Sequence, residues 1–253
     1  MQKTLKSIFV FFLLSLLLIV IWEAIRNFGV FERELLPSSK EVIFSLFKIL
    51  ETNKFWIDFI NSLERIFVGL FLSCIVGIPL GFFISSNKYV KIVAEPTIDF
   101  LRGIPITSLY PVFVLTLGIG NQGKIGMIFL GCVLIIMLHT IIGFENKNKQ
   151  RHLIGKLYGA SSSFIFFKII IPEALPNIAT GVRVSIGYAL IISTLTEMFM
   201  GAANGIGQSL MEAYSVYNLS NMYAYIVILG LLGYLLNRIV SKFENKISEW
   251  KQR

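Results

Sequence analysis

Four stretches of this chain run for twenty residues or more without a single Asp, Glu, Lys or Arg: 66–87, 103–123, 125–144 and 213–237. Crossing about 30 Å of hydrocarbon takes roughly 20 helical residues, so each run is long enough to span a bilayer. Two further runs are nearly clean: 7–25 is crossed by Glu23, and 178–199 holds only Arg183 and Glu197. A soluble fold cannot bury so much uninterrupted apolar chain at this size. Hydrophobic residues make up 55% of the 253 and mean hydropathy is +0.73. In lipid every backbone polar group must be satisfied within the chain, which leaves helices or a closed barrel. Unbroken runs of this length select helices. The expected architecture is therefore all-α and polytopic, one membrane domain over 1–253 with six spans near 7–25, 64–87, 97–117, 125–144, 178–199 and 220–239.

The first run starts basic, with Lys3 and Lys6, but no small-x-small cleavage site follows before Arg26, so a retained helix is expected rather than a signal peptide. Positive residues orient the rest. With both termini inside, fourteen Lys and Arg fall on the inner side and six on the outer: Arg26, Arg33, Lys40, Lys48, Lys54 and Lys124. Cytoplasmic loops carry the excess of Lys and Arg, so this is the expected topology. The net charge of +8 then belongs to membrane-facing loops beside lipid headgroups and gives no reason to invoke nucleic acid.

Between the spans, Ser38 and Glu41 form a capping box just after Pro37. Val42, Ile43, Leu46, Phe47 and Leu50 then recur at helical spacing, which predicts an amphipathic outer helix packed on its own bundle. A short inner turn is expected over 85–95, and a glycine hairpin, Gly118-Ile119-Gly120, joins the third and fourth spans outside.

Segment 118–124 fits Gly-x-Gly-x-x-Gly and also Gly-x4-Gly-Lys. A phosphate loop needs Ser or Thr after the lysine and a strand before the loop. Here Ile125 follows and both flanks are apolar spans, so the segment reads as a hairpin. No nucleophile elbow or His-Glu-x-x-His occurs, and Cys74, Cys132, His139 and His152 have no metal-ligand spacing. No catalytic residue and no metal site are expected. Charges inside spans are costly and normally face a bundle interior, a cavity or one another. Arg102 and Glu197 are therefore the candidates for a translocation path or gate, with Glu197 expected to be paired with a backbone donor or a basic side chain. Arg183 lies close enough to the inner face to snorkel.

The longest polar interruption is 145–176. It is basic at first, then half apolar, and bilayer stability alone does not require such a segment. Ser161-Ser162-Ser163 can cap a short helix, and Phe164, Phe167 and Lys168 share one side of it. An aromatic helix face of this kind fits a groove on a partner. Pro172 and Pro176 stiffen the entry to the fifth span.

These features, taken in order, resemble the permease subunits of ATP-binding-cassette importers, in the branch that handles aliphatic sulfonates, taurine, nitrate and bicarbonate, with relatives serving thiamine precursors. The resemblance rests on Leu36-Pro37-Ser38, Ser62-Leu63-Glu64-Arg65 with Gly69, and Gly77-Ile78-Pro79-Leu80-Gly81. It continues through Leu101-Arg102-Gly103-Ile104-Pro105, Pro111 and Gly118-Ile119-Gly120, then Gly159-Ala160-Ser161 with Ile169-Ile170-Ile171-Pro172. Gly181-x-Arg183 and Thr196-Glu197-Met198 complete it. It implies a type I importer transmembrane domain in the bacterial cytoplasmic membrane, working as a homodimer. ATPase subunits would dock at Gly159, Ala160, Ser161, Phe164, Phe167, Ile169, Ile171 and Pro172, and an extracytoplasmic substrate-binding protein would dock outside. ATP and Mg²⁺ would belong to the ATPase, and this chain would hold no cofactor. One departure stands out: where the family's docking loop opens with Glu-Ala-Ala, this chain has Leu153, Ile154 and Gly155. Beside this reading stand an ion-coupled transporter or passive channel, and a membrane assembly factor.

Overall fold

The computed structural model of the chain describes residues 2–29, 32, 34–146, 149–201 and 203–248. Among them the regular structure is entirely helical. In chain order the α-helices are α1 (Gln2–Asn27), α2 (Ser39–Leu50), α3 (Asn53–Ser86), α4 (Lys88–Gly103), α5 (Tyr110–Leu117) and α6 (Asn121–Glu145), followed by α7 (Lys149–Leu157), α8 (Ser162–Ile165), α9 (Ile171–Phe199), α10 (Ile206–Ser215) and α11 (Leu219–Ser248). A 3-10 turn (Ile106–Leu109) leads into α5, and a π segment (Phe166–Ile170) joins α8 to α9.

Among the described residues, four helical runs are long and apolar enough to cross a membrane: α3, α6, Ser162–Phe199 and Leu219–Ile247. The pair Lys88–Gly103 and Ile106–Leu117 makes a fifth if counted as one span, bent by 81°. The apolar run 7–25 lies on α1, whose 26 residues extend about 39 Å at 1.5 Å per residue. The charge within that run is satisfied locally: Glu23 accepts the Ser39 amide at 2.7 Å and its hydroxyl at 2.6 Å, at the start of α2.

Two expectations are corrected. The helix expected over 97–117 is broken. Pro105 offers no N–H and disfavours helical backbone at the residue before it, and Ile104 duly adopts φ −77°, ψ 118°. The turn expected over 85–95 shrinks to Asn87, whose side chain caps α4 by accepting the amides of Tyr89 and Val90. The segment 145–176 is helical over most of its described length, with α9 starting at Ile171 and Pro172 in its first turn, where a missing N–H costs nothing.

The bundle packs α3 on α6, α6 on α9 and α9 on α11, with Ile66, Ile128, Cys132, Ile136, Ala189 and Ile192 in the core. Gly77 and Gly81 let α3 approach α6 closely: a Cβ added at Gly81 would sit 2.7 Å from the Met137 carbonyl oxygen. The capping box of α2 is present, and α2 packs against α11. Its face is rotated from the expected one. Val42, Ser45 and Ile49 are buried, while Ile43 and Phe47 are exposed along with Phe44. Apolarity does not mark the inward side of a helix when lipid is as apolar as the core.

Candidate functional site

Three places gather the candidate residues. The first is a polar knot where α3, α6, α9 and the start of α10 meet. Asp58, Ser62 and Arg65 follow one another on α3 at helical spacing and form one stripe. They face Glu197 near the end of α9. The Arg65 Nη1 donates to Glu197 Oε1 at 2.8 Å, and Arg65 Nε donates to Asn121 Oδ1 at 2.9 Å. Ser62 Oγ donates to Glu197 Oε2 at 2.9 Å, and Ser193 Oγ donates to Oε1 at 3.1 Å. Arg65 and Glu197 are 4% and 1% exposed, so this is a dry ion pair.

The same side chains cap α10. The first amides of a helix have no partner inside it. Here Gly205 N–H donates to Asp58 Oδ1 at 2.8 Å, Ile206 N–H to Ser62 Oγ at 3.0 Å, and Gly207 N–H to Glu197 Oε2 at 2.9 Å. Asp58 also accepts the Ser209 hydroxyl at 2.6 Å. Two carboxylates thus meet a guanidinium and the positive end of a helix together. Lys54 of α3 adds an ion pair to Glu212 of α10 at the surface.

Glu197 therefore has both kinds of partner expected of it, a basic side chain and a backbone donor. Sequence reading missed Arg65, Asp58 and Asn121 as its surroundings. The available signal was the stripe Asp58, Ser62, Arg65 at the head of an otherwise apolar helix. Lys124, counted as an outer surface charge, is 2% exposed, and its amine donates to the Ile119 carbonyl at 2.9 Å. The hairpin lysine that imitates a phosphate loop is thus occupied by backbone carbonyl.

The second place is the break between α4 and α5. A cavity of about 270 Å³ opens there, lined by Leu101, Arg102, Ile106, Leu134, Tyr188 and Ile192 among others. The structure does not bring Arg102 near Glu197's knot; Arg102 is half exposed and pairs loosely with Asp99 at 3.7 Å. Arg183, expected to snorkel, instead contacts Glu244 of α11 at 3.1 Å, and Thr180 donates to the same carboxylate at 2.6 Å.

The third place is the face formed by α7, α8 and the π segment. Gly159, at φ 72°, follows α7. Ser161 caps α8 by accepting the Phe164 amide at 3.2 Å, as its position predicts. Ile165 and Phe166 turn inward: Ile165 is 3% exposed, and the Phe166 ring lies 5.1 Å from Phe82, which lies 4.9 Å from Phe144. Phe164 and Phe167 point outward, 54% and 63% exposed, with Lys168 also exposed. Arg151 of α7 reaches the buried Glu173 of α9 at 3.5 Å and ties the face to the helix behind it. At the departure from the family's pattern, Leu153 and Ile154 are exposed and add apolar surface to this face.

The described residues thus form a bundle of apolar helices with an aromatic face at one end and a broken helix lining a cavity. Residues 75–249 match the family described as binding-protein-dependent transport system inner membrane component, and the chain belongs to that family. It is 29% identical to the formylaminopyrimidine transport permease protein ThiX of Halalkalibacterium halodurans, over 95% of each chain. It is 28% identical to the nitrate import permease protein NrtB of Synechocystis, over 93% of this chain and 88% of that one. Among solved structures, the MetNI methionine ABC transporter in an inward-facing conformation shares the fold: the TM-score is 0.66 at 20% identity, over 76% of this chain and 96% of that one.

Proposed function

We propose that this chain is the permease subunit of an ATP-binding-cassette importer, working as a homodimer in the cytoplasmic membrane with both termini inside. ATP and Mg²⁺ are handled by a separate ATPase, which docks on α7, α8 and the π segment, while an extracytoplasmic binding protein delivers ligand to the opposite side. The ligand is a small anion of the aliphatic sulfonate, taurine or nitrate-like kind or a thiamine-precursor-type vitamin ligand; the nitrate and formylaminopyrimidine roles in the names of two relatives support that range. Glu197 shapes the outer gate by holding α10 against α3, and Arg102 lines the path.

The observation that carries this reading is the pair Phe164 and Phe167, held outward by neighbours that are wedged under α3 and α6. Docked aromatic residues dominate interface energy, at about 2 kcal/mol or more each. Because Ile165 and Phe166 are packed and α9 begins immediately beyond them, displacement of the docked face moves α9 as well. Phe164→Ala with Phe167→Ala should lower uptake by about thirtyfold or more while the helices still insert. Uptake at the normal rate in that double variant removes the face from the mechanism. A channel, an ion-coupled transporter or an assembly factor needs no such face, and purified protein that retains no ATPase would favour one of them.

Orientation has its own test. Asn121 accepts from Arg65, so a reporter thiol is better placed at the neighbouring exposed Gln122. In a background lacking Cys74 and Cys132, Gln122→Cys should react with an impermeant maleimide in intact cells. Reaction only after permeabilisation would invert the topology.

A further inference from the structure

We infer that the cavity at the break between α4 and α5 is an oxyanion subsite, in which Arg102 takes the charged end of the transported ligand. This rests on the permease reading and narrows its ligand range to the anions.

The level of the site comes first. Its α6 wall, 130–135, sits at the middle of a helix running from Asn121 to Glu145. Residue 135 is still ten residues from the inner end, roughly 15 Å of helix, farther than a side chain reaches. Irregular backbone inside a membrane is tolerated only where it is enclosed by protein or lines a cavity, and the break at Ile104-Pro105 lines this one.

The chemistry of the lining comes next. Arg102 is the only charged residue among those around the cavity, and no carboxylate is among them. Its ion pair is with Asp99 at 3.7 Å, one turn back on the same helix and beyond hydrogen-bond range, and that carboxylate is 72% exposed. Asp99 is thus a weak counter-ion that a better acceptor displaces. Guanidinium presents a planar fork of donors that matches the two oxygens of a nitrate, carboxylate or sulfonate edge. Tyr188 adds a phenol to the lining from α9, and Ile106, Leu134 and Ile192 offer apolar surface for a short tail. A volume of about 270 Å³ has room for a small ligand. One cation, one phenol and an apolar remainder describe a site for a small monovalent oxyanion. A neutral pyrimidine leaves the guanidinium unmatched. Lipid phosphate has the same oxyanion chemistry, and the test separates the two sources.

The experiment uses the permease with its ATPase and binding protein in phosphatidylcholine proteoliposomes, with labelled nitrate and ethanesulfonate as probes and formylaminopyrimidine as the neutral comparison. Arg102→Gln should raise the half-saturating concentration for at least one anion about tenfold or more, since hydrogen bonds to charged groups are the strong ones. Arg102→Lys keeps the charge but not the fork, and should raise it several-fold. Tyr188→Phe should raise it less. If Arg102→Gln fails to retain the ATPase, Arg102→Lys carries the test in its place. Half-saturation unchanged in the variants overturns the subsite. So does wild-type protein that carries the pyrimidine and neither anion, a result that leaves the permease reading standing. An effect of Arg102→Gln that appears only when anionic lipid is added assigns Arg102 to headgroups and also overturns it. Wild-type protein that holds no ATPase sinks the permease reading first, and this inference with it.

Discussion

Glu197→Ala is expected to cost roughly 3–5 kcal/mol of stability and to abolish uptake, because removing one member of a buried ion pair leaves the other charged and unpaired. The loss here goes beyond the pair. Without the carboxylate, Arg65 keeps only its bond to Asn121, the Gly207 amide loses its acceptor, and Ser193 loses its partner. Glu197→Gln keeps an acceptor oxygen of the same reach for Ser62 or the Gly207 amide, so it should be the milder variant in both stability and uptake. Arg65→Ala removes the counter-charge of a buried carboxylate that keeps Ser62, Ser193 and the Gly207 amide as donors, so it should destabilise less than Glu197→Ala. Replacing both partners with apolar residues often rescues an isolated buried pair. It should rescue only part of the loss here, because the Gly207 amide would still lack an acceptor. Thermal unfolding of the purified complex, with uptake measured alongside, reads these differences. Full stability and uptake in Glu197→Ala would show that the knot carries no load.

Gly207→Ala should be a severely damaging change for a single methyl group. A Cβ at that position would lie 2.4 Å from the Thr194 carbonyl oxygen and 2.9 Å from the Glu197 Cβ. The first clash is with backbone, which cannot step aside as a flexible side chain can. α10 must then lift from α9, and the amide-to-carboxylate bond that anchors it lengthens or breaks. Overpacking of this kind costs about 1–3 kcal/mol, with the lost buried hydrogen bond in addition. Gly230→Ala on α11 is the control: nothing lies within 4 Å of its added Cβ, and alanine is the better helix former. Gly207→Ala should lose stability and uptake while Gly230→Ala keeps both. Equal behaviour of the two variants would mean that α10 does not need its close seat on α9.

The membrane class, the inner component of a binding-protein-dependent system and the capped helix at Ser161 were all legible in the chain. Runs of apolar residues and Ser or Asn at helix starts act through local or one-dimensional physics. The capping of α2 by Ser38 and Glu41 was legible for the same reason: its partners are three residues apart. Which side of α2 faces inward was not, because lipid and core make the same demand on a side chain. The break at Pro105 had its signal in the residue itself, but an apolar run hides a bend, since hydrophobicity does not depend on backbone direction.

What only the tertiary structure decided is the company each charge keeps. Arg65 and Glu197 are 132 residues apart, and Asp58 and the Gly205 amide 147. In sequence Lys124 counted among the outer charges, and nothing local tied Asp58 or Arg65 to Glu197. In the fold, α3, α6 and α9 bring all of them to the seat of α10, where low dielectric makes pairing obligatory. Glu197 and Arg102 were equivalent as rare charges in apolar spans. Packing separated them, closing a dry network around Glu197 and leaving Arg102 beside a cavity, because desolvation depends on the neighbours a helix acquires and not on the residue that bears the charge.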